Sequence, residues 1–315
     1  MKQGNLKRLT LILLLLLAVV FVCDRLIGAG LQNLFYKQTR GDDMVSIYTL
    51  ERSHEDILVL GGSRASHHYK TDVLGSTTGM SCYNGGRDDM PVTYVNAILP
   101  VVYQRYNPKV IILDVIPSEL IATKGYDQVY QRISTVLLRF AYKHPELFST
   151  IALAGKIEVW KAQVSHIYPY NSIIGSAIQN TYTKLGHESV NGYEPVIGSI
   201  DTVYYTKPAF NFNVNGTVDD SLAARYVNII KLAKEHNTRL ITIVSPFYFA
   251  INPSPNNSYN FMKQQSAENG CEFYDFSNAQ PFSANPNLFY DELHMNDDGA
   301  GIYSQIIGNI LVGKK

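Results

Sequence analysis

The sequence predicts an α/β domain built on a parallel sheet, and three observations carry the prediction. Short apolar, β-branched runs alternate with amphipathic helical patterns from residue 56 onward. The first run, closing in Val59-Leu60, stops abruptly at Gly61-Gly62-Ser63-Arg64. A buried strand reads this way when it reaches the carboxyl edge of a sheet and turns into a helix. The third run, 109–116, is rich in β-branched residues and bounded by prolines, as suits a strand buried on both faces.

Residues 1–8 carry Lys2, Lys7 and Arg8 and no acid. Residues 9–23 are then apolar apart from Thr10. That run is short for ~30 Å of hydrocarbon, which takes about twenty residues. Beyond Asp24 and Arg25, apolar spacing of helical period continues to residue 35. A cleaved signal peptide has this charged start and short apolar centre, but no small-x-small cleavage site follows cleanly. We read 1–35 as a retained signal anchor. On either reading the positive start stays cytoplasmic and the remainder is exported. Residues 36–55 are polar and weakly patterned and read as a stalk, leaving 56–315 as the folded domain.

Within that domain, 56–60 reads as the first strand and 66–73 as a helix or turn. Residues 80–83 are a short second strand ending in Asn84-Gly85-Gly86. Residues 91–106 form an amphipathic helix with Pro91 at its first turn, a favoured place for proline, and 109–116 is the third strand. Residues 121–208 break the rhythm. Stretches 131–142 and 145–163 look helical, and 171–205 is rich in Gly, Asn and Tyr without a period. This insertion reads either as a lid or substrate-binding subdomain over the sheet's active edge, or as an excursion without substrate contact. Regularity resumes with a helix over 219–236, a strand over 239–244 and a helix over 256–269 ended by Gly270. A fifth strand at 272–276 and a last helix at 297–312 follow. Strands separated by helices imply right-handed crossovers.

Lys plus Arg equal Asp plus Glu at 27 each, so charge gives no reason to expect nucleic acid as a partner. The 22 tyrosines read as core and surface aromatics rather than sugar-stacking faces. Three cysteines, Cys23, Cys82 and Cys271, show no zinc or redox spacing. If the second and fifth strands lie at opposite edges, Cys82 and Cys271 cannot meet.

Open α/β sheets place their chemistry at the carboxyl edge, which makes Ser63 a candidate nucleophile in need of a base, an orienting acid and oxyanion donors. Asp291-Glu292-Leu293-His294, just before the last helix, can supply the first two. A carboxylate three residues before a histidine in a turn can accept from the imidazole Nδ1 and leave Nε2 free as a base. Asn84-Gly85-Gly86 reaches the same edge and offers a backbone N–H at Gly86 and a side-chain amide at Asn84. Ser63's own N–H, at the start of a helix, is a further donor. Arg64 reads as a partner of Asp114 or Glu119, or as a holder of an anionic substrate group. His67 reads as pocket lining or packing, and Asp297 as the cap of the last helix. The order Ser, Asp, His also fits an α/β-hydrolase, but there the acid and the histidine come from separate loops.

Together, Gly61-Gly62-Ser63-Arg64, Asn84-Gly85-Gly86 and Asp291-Glu292-Leu293-His294 resemble the SGNH (GDSL-like) hydrolase superfamily, over roughly 56–312 apart from the insertion. The resemblance implies a flavodoxin-like three-layer sandwich with a five-stranded parallel sheet of order 2-1-3-4-5. It implies Ser63 as nucleophile, Asp291 and His294 as orienter and base, and Gly86 as an oxyanion donor, with no metal or cofactor required. Arg64 after the serine resembles a membrane-anchored bacterial branch, some members of which act on acyl groups of envelope polysaccharides. One block departs. Where the family carries Asn after the third strand, this chain has Ser118, a less strongly placed donor. Losing one oxyanion donor costs about 10²–10³ in rate. The expectation is an exported, membrane-anchored serine esterase or O-acyltransferase acting on acylated carbohydrate or another ester. The alternative is a non-catalytic binding or assembly component that keeps the fold.

Overall fold

A computed structural model describes residues 3–122, 125–184, 188–209 and 216–313. Met1 and Lys2 of the basic start, and residues 123–124 and 185–187 of the insertion, lie outside the described residues. In chain order the elements are α1 (Gln3–Tyr36), α2 (Gly41–Glu51), β1 (Ile57–Leu60), α3 (Ser63–His68), α4 (Thr71–Thr78), β2 (Cys82–Asn84), α5 (Val92–Tyr103), β3 (Val110–Asp114) and α6 (Tyr126–Leu137). There follow α7 (Phe148–Ile151), α8 (Lys156–Val164), α9 (Ile174–Tyr182), α10 (Asp220–Glu235), β4 (Arg239–Val244), α11 (Asn257–Glu268), β5 (Glu272–Asp275) and α12 (Asp297–Leu311). They form two compact units, one from 40–129 and 187–315, the other from 1–39 and 130–186.

The first unit carries the sheet. All its strand pairs are parallel, in the order β2-β1-β3-β4-β5, which is the order the resemblance implies. Register decides which side chains meet. Ile57, Val59, Ile112, Ile241 and Ile243 share one face, covered by Leu74 of α4 and by Tyr303, Ile307 and Leu311 of α12. The alternate residues Leu58, Leu60, Ile111 and Leu113 turn to the other face and are also buried. There Tyr226 of α10 bonds Thr242 of β4 through its hydroxyl at 2.9 Å, and α5 packs beside α10. Burial on both faces is why β1, β3 and β4 read as continuous apolar runs. β2 and β5 are the edge strands, and Cys82 and Cys271 are both free.

The outer edge of β2 is met by backbone from the insertion. The amide of Asn84 donates to Asn191 O at 2.9 Å. Gly192 follows in a left-handed conformation (φ +83°), so close that a Cβ there would lie 1.8 Å from Asn84 O. Glycine is required on both counts. Contact of this kind keeps an edge strand from pairing with other chains.

Helix starts follow side-chain chemistry. Asp219 accepts from the amides of Ser221 and Leu222 at the start of α10, and Asn256 from those of Ser258 and Tyr259 at the start of α11. The last helix is capped by Asn296, which accepts from Gly299 N, and not by Asp297. Asp297 instead accepts from Lys70 Nζ at 2.7 Å and from the Tyr193 hydroxyl at 2.8 Å.

The stalk expected over 36–55 is overturned. Residues 41–51 are helix α2, with Val45, Ile47 and Leu50 buried in the sheet unit. The tract reads as polar because its acids have partners elsewhere in the sequence. Arg87 bonds Asp42 O at 2.5 Å and Ser46 Oγ at 2.7 Å, and pairs with Asp43 at 3.0 Å.

In the second unit, α1 includes a stretch, Asn5–Tyr36, long and apolar enough to cross a membrane, with a mean hydropathy of 2.6 in its most apolar window. Its C-terminal part is packed. Phe35 is buried, edge-on to Phe140 at 5.3 Å, and the Asn180 side chain donates to Gln38 at 3.0 Å. The insertion expected as one body over 121–208 is thus divided. Its 130–184 portion builds this helical unit with α1, while 121–122, 125–129 and 188–208 belong to the sheet unit.

Candidate active site

Ser63 is the first residue of α3, one glycine beyond the turn that leaves β1. Gly61 makes that turn at φ +146°, where a Cβ would fall 2.7 Å from Asp114 O. The chain therefore reverses tightly against the end of β3 and leaves Ser63 at the carboxyl edge. His294 arrives on the loop between β5 and α12. Its Nε2 lies 2.8 Å from Ser63 Oγ, and its Nδ1 lies 2.8 Å from Asp291 Oδ2 and 3.0 Å from Oδ1.

The Asp-x-x-His spacing is a turn held by its own acid. Asp291 Oδ1 accepts from the amides of Leu293 and His294, both at 2.8 Å. The loop closes on itself where Tyr290 N donates to His294 O at 2.9 Å. Burial pushes the Asp291 carboxyl up, but the His294 ring and the two amides outweigh it and hold the group below its ordinary value. An ionised Asp291 requires a proton on Nδ1, which leaves the Nε2 lone pair to accept from the Ser63 hydroxyl.

The histidine loop is anchored from below by a residue the sequence reading passed over. Met295 N donates to His68 Nε2 at 3.0 Å, so His68 carries its proton on Nδ1 and donates it to Ser245 Oγ at 2.9 Å. His68 is fully buried, and desolvation, with Arg64 adding to it, holds its pKa well below the ordinary value. The sequence clues were Ser245-Pro246 ending a strand at the active edge and the His67-His68 pair itself. His67 lies on the other flank, its ring 5.4 Å from that of His294 and its Nδ1 2.8 Å from Glu194 O. Part of the insertion runs along the same loop. Ile200 N donates to Phe289 O at 2.7 Å, and Ala209 N to Glu292 Oε2 at 2.8 Å.

No protein-family model matches the chain, and no curated protein matches it. Among solved structures it is similar to that of a protein assigned to the G-D-S-L lipolytic family from Desulfitobacterium hafniense DCB-2. The two are 12% identical with a TM-score of 0.33, and the match covers 81% of this chain and 99% of that one. The fold itself rests on the strand order, a parallel five-stranded sheet of the flavodoxin-like order 2-1-3-4-5.

Within that fold, two of the expected oxyanion donors, Asn84 and Gly86, lie elsewhere than that role requires. Asn84 is fully buried, and its Nδ2 donates to Ala65 O at 2.7 Å and Tyr69 O at 3.1 Å. Gly86 spends its N–H on Asn84 Oδ1 at 2.9 Å. A Cβ on Gly86 would meet Ser66 N at 2.5 Å and Ala65 Cβ at 2.7 Å. Glycine there lets the end of β2 pack on the back of α3, and neither residue faces an oxyanion. Arg64 is buried too. It pairs with Asp114 at 3.6 Å, the first of its two expected roles, bonds Ser245 Oγ at 2.7 Å and lies 3.7 Å over the Phe247 ring. Ser118 is half-buried in the turn after β3, and no hydrogen bond joins it to Ser63 or His294 among the described residues. Glu119 accepts from Val92 N at 2.7 Å at the start of α5, a capping role. Of the donors expected, Ser63's own amide remains at the site, at a helix start where Gly62 offers no side-chain cap.

A buried neutral histidine has a signature in pH. The unfolded chain takes up a proton below about 6.5 that folded His68 refuses, so stability falls as pH drops below that value, by about 1.4 kcal/mol per unit. Glu194 acts in the opposite sense. Burial, with Asp42 and Asp88 adding to it, raises its carboxyl to about 7, so the fold holds a proton that the unfolded chain releases above its ordinary Glu value. The Glu194 contribution cancels when wild type is compared with His68→Gln. The stability difference between the two should narrow from pH 7 to pH 5, measured by denaturant titration. A difference independent of pH would mean that folded His68 is charged.

Proposed function

We propose that this chain is a membrane-anchored serine esterase or O-acyltransferase acting on ester-linked acyl groups, with acylated envelope polysaccharide as the substrate class. The carrying observation is the Ser63–His294–Asp291 chain of hydrogen bonds at the carboxyl edge of the sheet. Ser63 Oγ attacks the ester carbonyl as His294 Nε2 takes its proton, and the imidazolium is stabilised by Asp291. Ser63 N–H faces the developing oxyanion. Collapse expels the alcohol, which takes the proton back from Nε2 and leaves an acyl group on Ser63. Water or a sugar hydroxyl then gives its proton to Nε2 and carries the acyl group away, as Nε2 returns that proton to Ser63 Oγ. The first acceptor gives hydrolysis, the second transfer.

The continuity of α1 from the apolar run to Tyr36 supports a retained anchor, since a cleavage site after the run would lie inside an unbroken helix. The basic residues before the run support a cytoplasmic start and an exported domain.

A fluorophosphonate probe tests the catalytic reading. The full chain in detergent should be labelled once, at Ser63, and Ser63→Ala should not be labelled. A folded chain that resists the probe, or a Ser63→Ala variant labelled equally, would sink the proposal. One observation favours a second reading, a non-catalytic component that binds envelope polysaccharide. Asn84 and Gly86 are both bonded elsewhere, which leaves the oxyanion site short of donors. Resistance to the probe together with retained polysaccharide binding is the result that reading expects.

A further inference from the structure

The helical unit exposes an apolar face that the proposed chemistry does not use. On α8, Ile157, Trp160 and Val164 recur at positions i, i+3 and i+7 and are 54%, 57% and 51% exposed. Leu153 lies exposed just before α8. Trp160 is the chain's single tryptophan. Together with Val164, Ser165, Ile167 and Tyr168 it lines a cavity of about 220 Å³.

The level of this face along α1 is fixed by hydrogen bonds. Asp24, directly after the apolar run, accepts from Ser165 Oγ at 2.5 Å and from the amides of His166 at 2.8 Å and Ile167 at 3.4 Å. Gly28 lies so close to this corner that a Cβ there would be 2.4 Å from His166 Cβ. Ser165 and Ile167 therefore hold Asp24 and line the cavity with Trp160 at once.

The apolar run of α1 covers only about 22 Å at 1.5 Å per residue, some 8 Å short of a ~30 Å hydrocarbon core. Beyond it Leu26 and Ile27 are again exposed, at 69% and 52%. The two charges between are partnered. Asp24 is satisfied by the 165–167 corner, and Arg25 pairs with Asp24 at 3.0 Å and lies 4.4 Å from the Phe21 ring centroid. A charge pair held in this way tolerates the membrane boundary.

We propose that the α8 face, with Leu153, is seated in the lipid bilayer that α1 crosses, with Trp160 at the headgroup boundary, so that the helical unit completes the membrane-spanning apolar belt. Tryptophan concentrates at that boundary. The inference rests on α1 as a membrane span and is independent of the esterase reading.

Because Trp160 has no competitor, its fluorescence reads the contact directly. The full chain is reconstituted into phosphatidylcholine–phosphatidylglycerol vesicles with and without lipids brominated near the headgroup. Bromolipid should quench Trp160 about two-fold or more, and Ile157→Glu with Val164→Glu, both at exposed positions, should abolish most of the quenching. Emission quenched by acrylamide but not by bromolipid would overturn the proposal. So would emission quenched by neither, the result of a second copy covering the face. Resistance to carbonate extraction is scored in parallel. Its loss removes the span itself, whereas resistance without bromolipid quenching removes only the seated face.

Discussion

Asp291→Asn is expected to lower ester turnover by about 10⁴ while the fold stays intact. The size of the loss follows from which oxygen does what. Asp291 Oδ1 holds two backbone amides at 2.8 Å, and an asparagine keeps those bonds by leaving its oxygen there. Its NH₂ group then takes the place of Oδ2, 2.8 Å from His294 Nδ1. Facing a donor, Nδ1 must accept, so the ring proton moves to Nε2 and points at Ser63 Oγ. A protonated Nε2 cannot take the serine proton. The check is kcat on a short-chain aryl ester, together with the rate of fluorophosphonate labelling. A loss of less than about ten-fold, about 1.4 kcal/mol, would show that Asp291 does not set the tautomer. Because the carboxyl is held below its ordinary value, Asp291 stays ionised through the neutral range. What its ionisation adds to stability is lost only as pH falls below about 4.

How much of this was legible depended on whether neighbours in sequence decide the structure. The strands were legible because two buried faces force continuous apolar runs, and β4 has the bounds 239–244 that its sequence suggests. The Asp291–His294 turn was legible because the acid, both amides and the ring lie within four residues. Helix α2 was not, since Asp43 is neutralised by Arg87, distant in the chain, and its local polarity imitates a solvated stalk. The same holds at the oxyanion site. Asn84-Gly85-Gly86 has the composition of a donor loop, yet the Asn84 side-chain amide is consumed by α3 and the Gly86 N–H by Asn84 Oδ1, through packing that local sequence does not encode. The insertion misled for a third reason. Its two parts answer to different cores, one gathered around Phe35 and Phe140, the other threaded along the His294 loop.

Arg64 carries the second large effect, this time on stability. Its charge is buried beside that of Asp114, which also accepts from the Tyr69 hydroxyl at 2.7 Å. Burial pushes the Asp114 carboxyl up against the pull of Arg64. In Arg64→Met the aliphatic volume remains over Phe247, but Asp114 loses its counter-charge and must either stay ionised in an apolar setting or take up a proton. Removing one member of a buried pair costs about 3–5 kcal/mol, whereas replacing both by apolar groups is often neutral. At about 2–4 °C per kcal/mol for a domain of this size, the single variant should melt roughly 6–20 °C lower, and Arg64→Met with Asp114→Leu should recover much of the difference. Thermal denaturation of the detergent-solubilised chain measures both. The competing role for Arg64, holding an anionic substrate group, makes the opposite forecast. It expects unchanged melting and a raised KM for acidic esters alone. The two outcomes separate a guanidinium that braces the floor beneath Ser63 from one that reads the substrate, and the 4% exposure of Arg64 favours the brace.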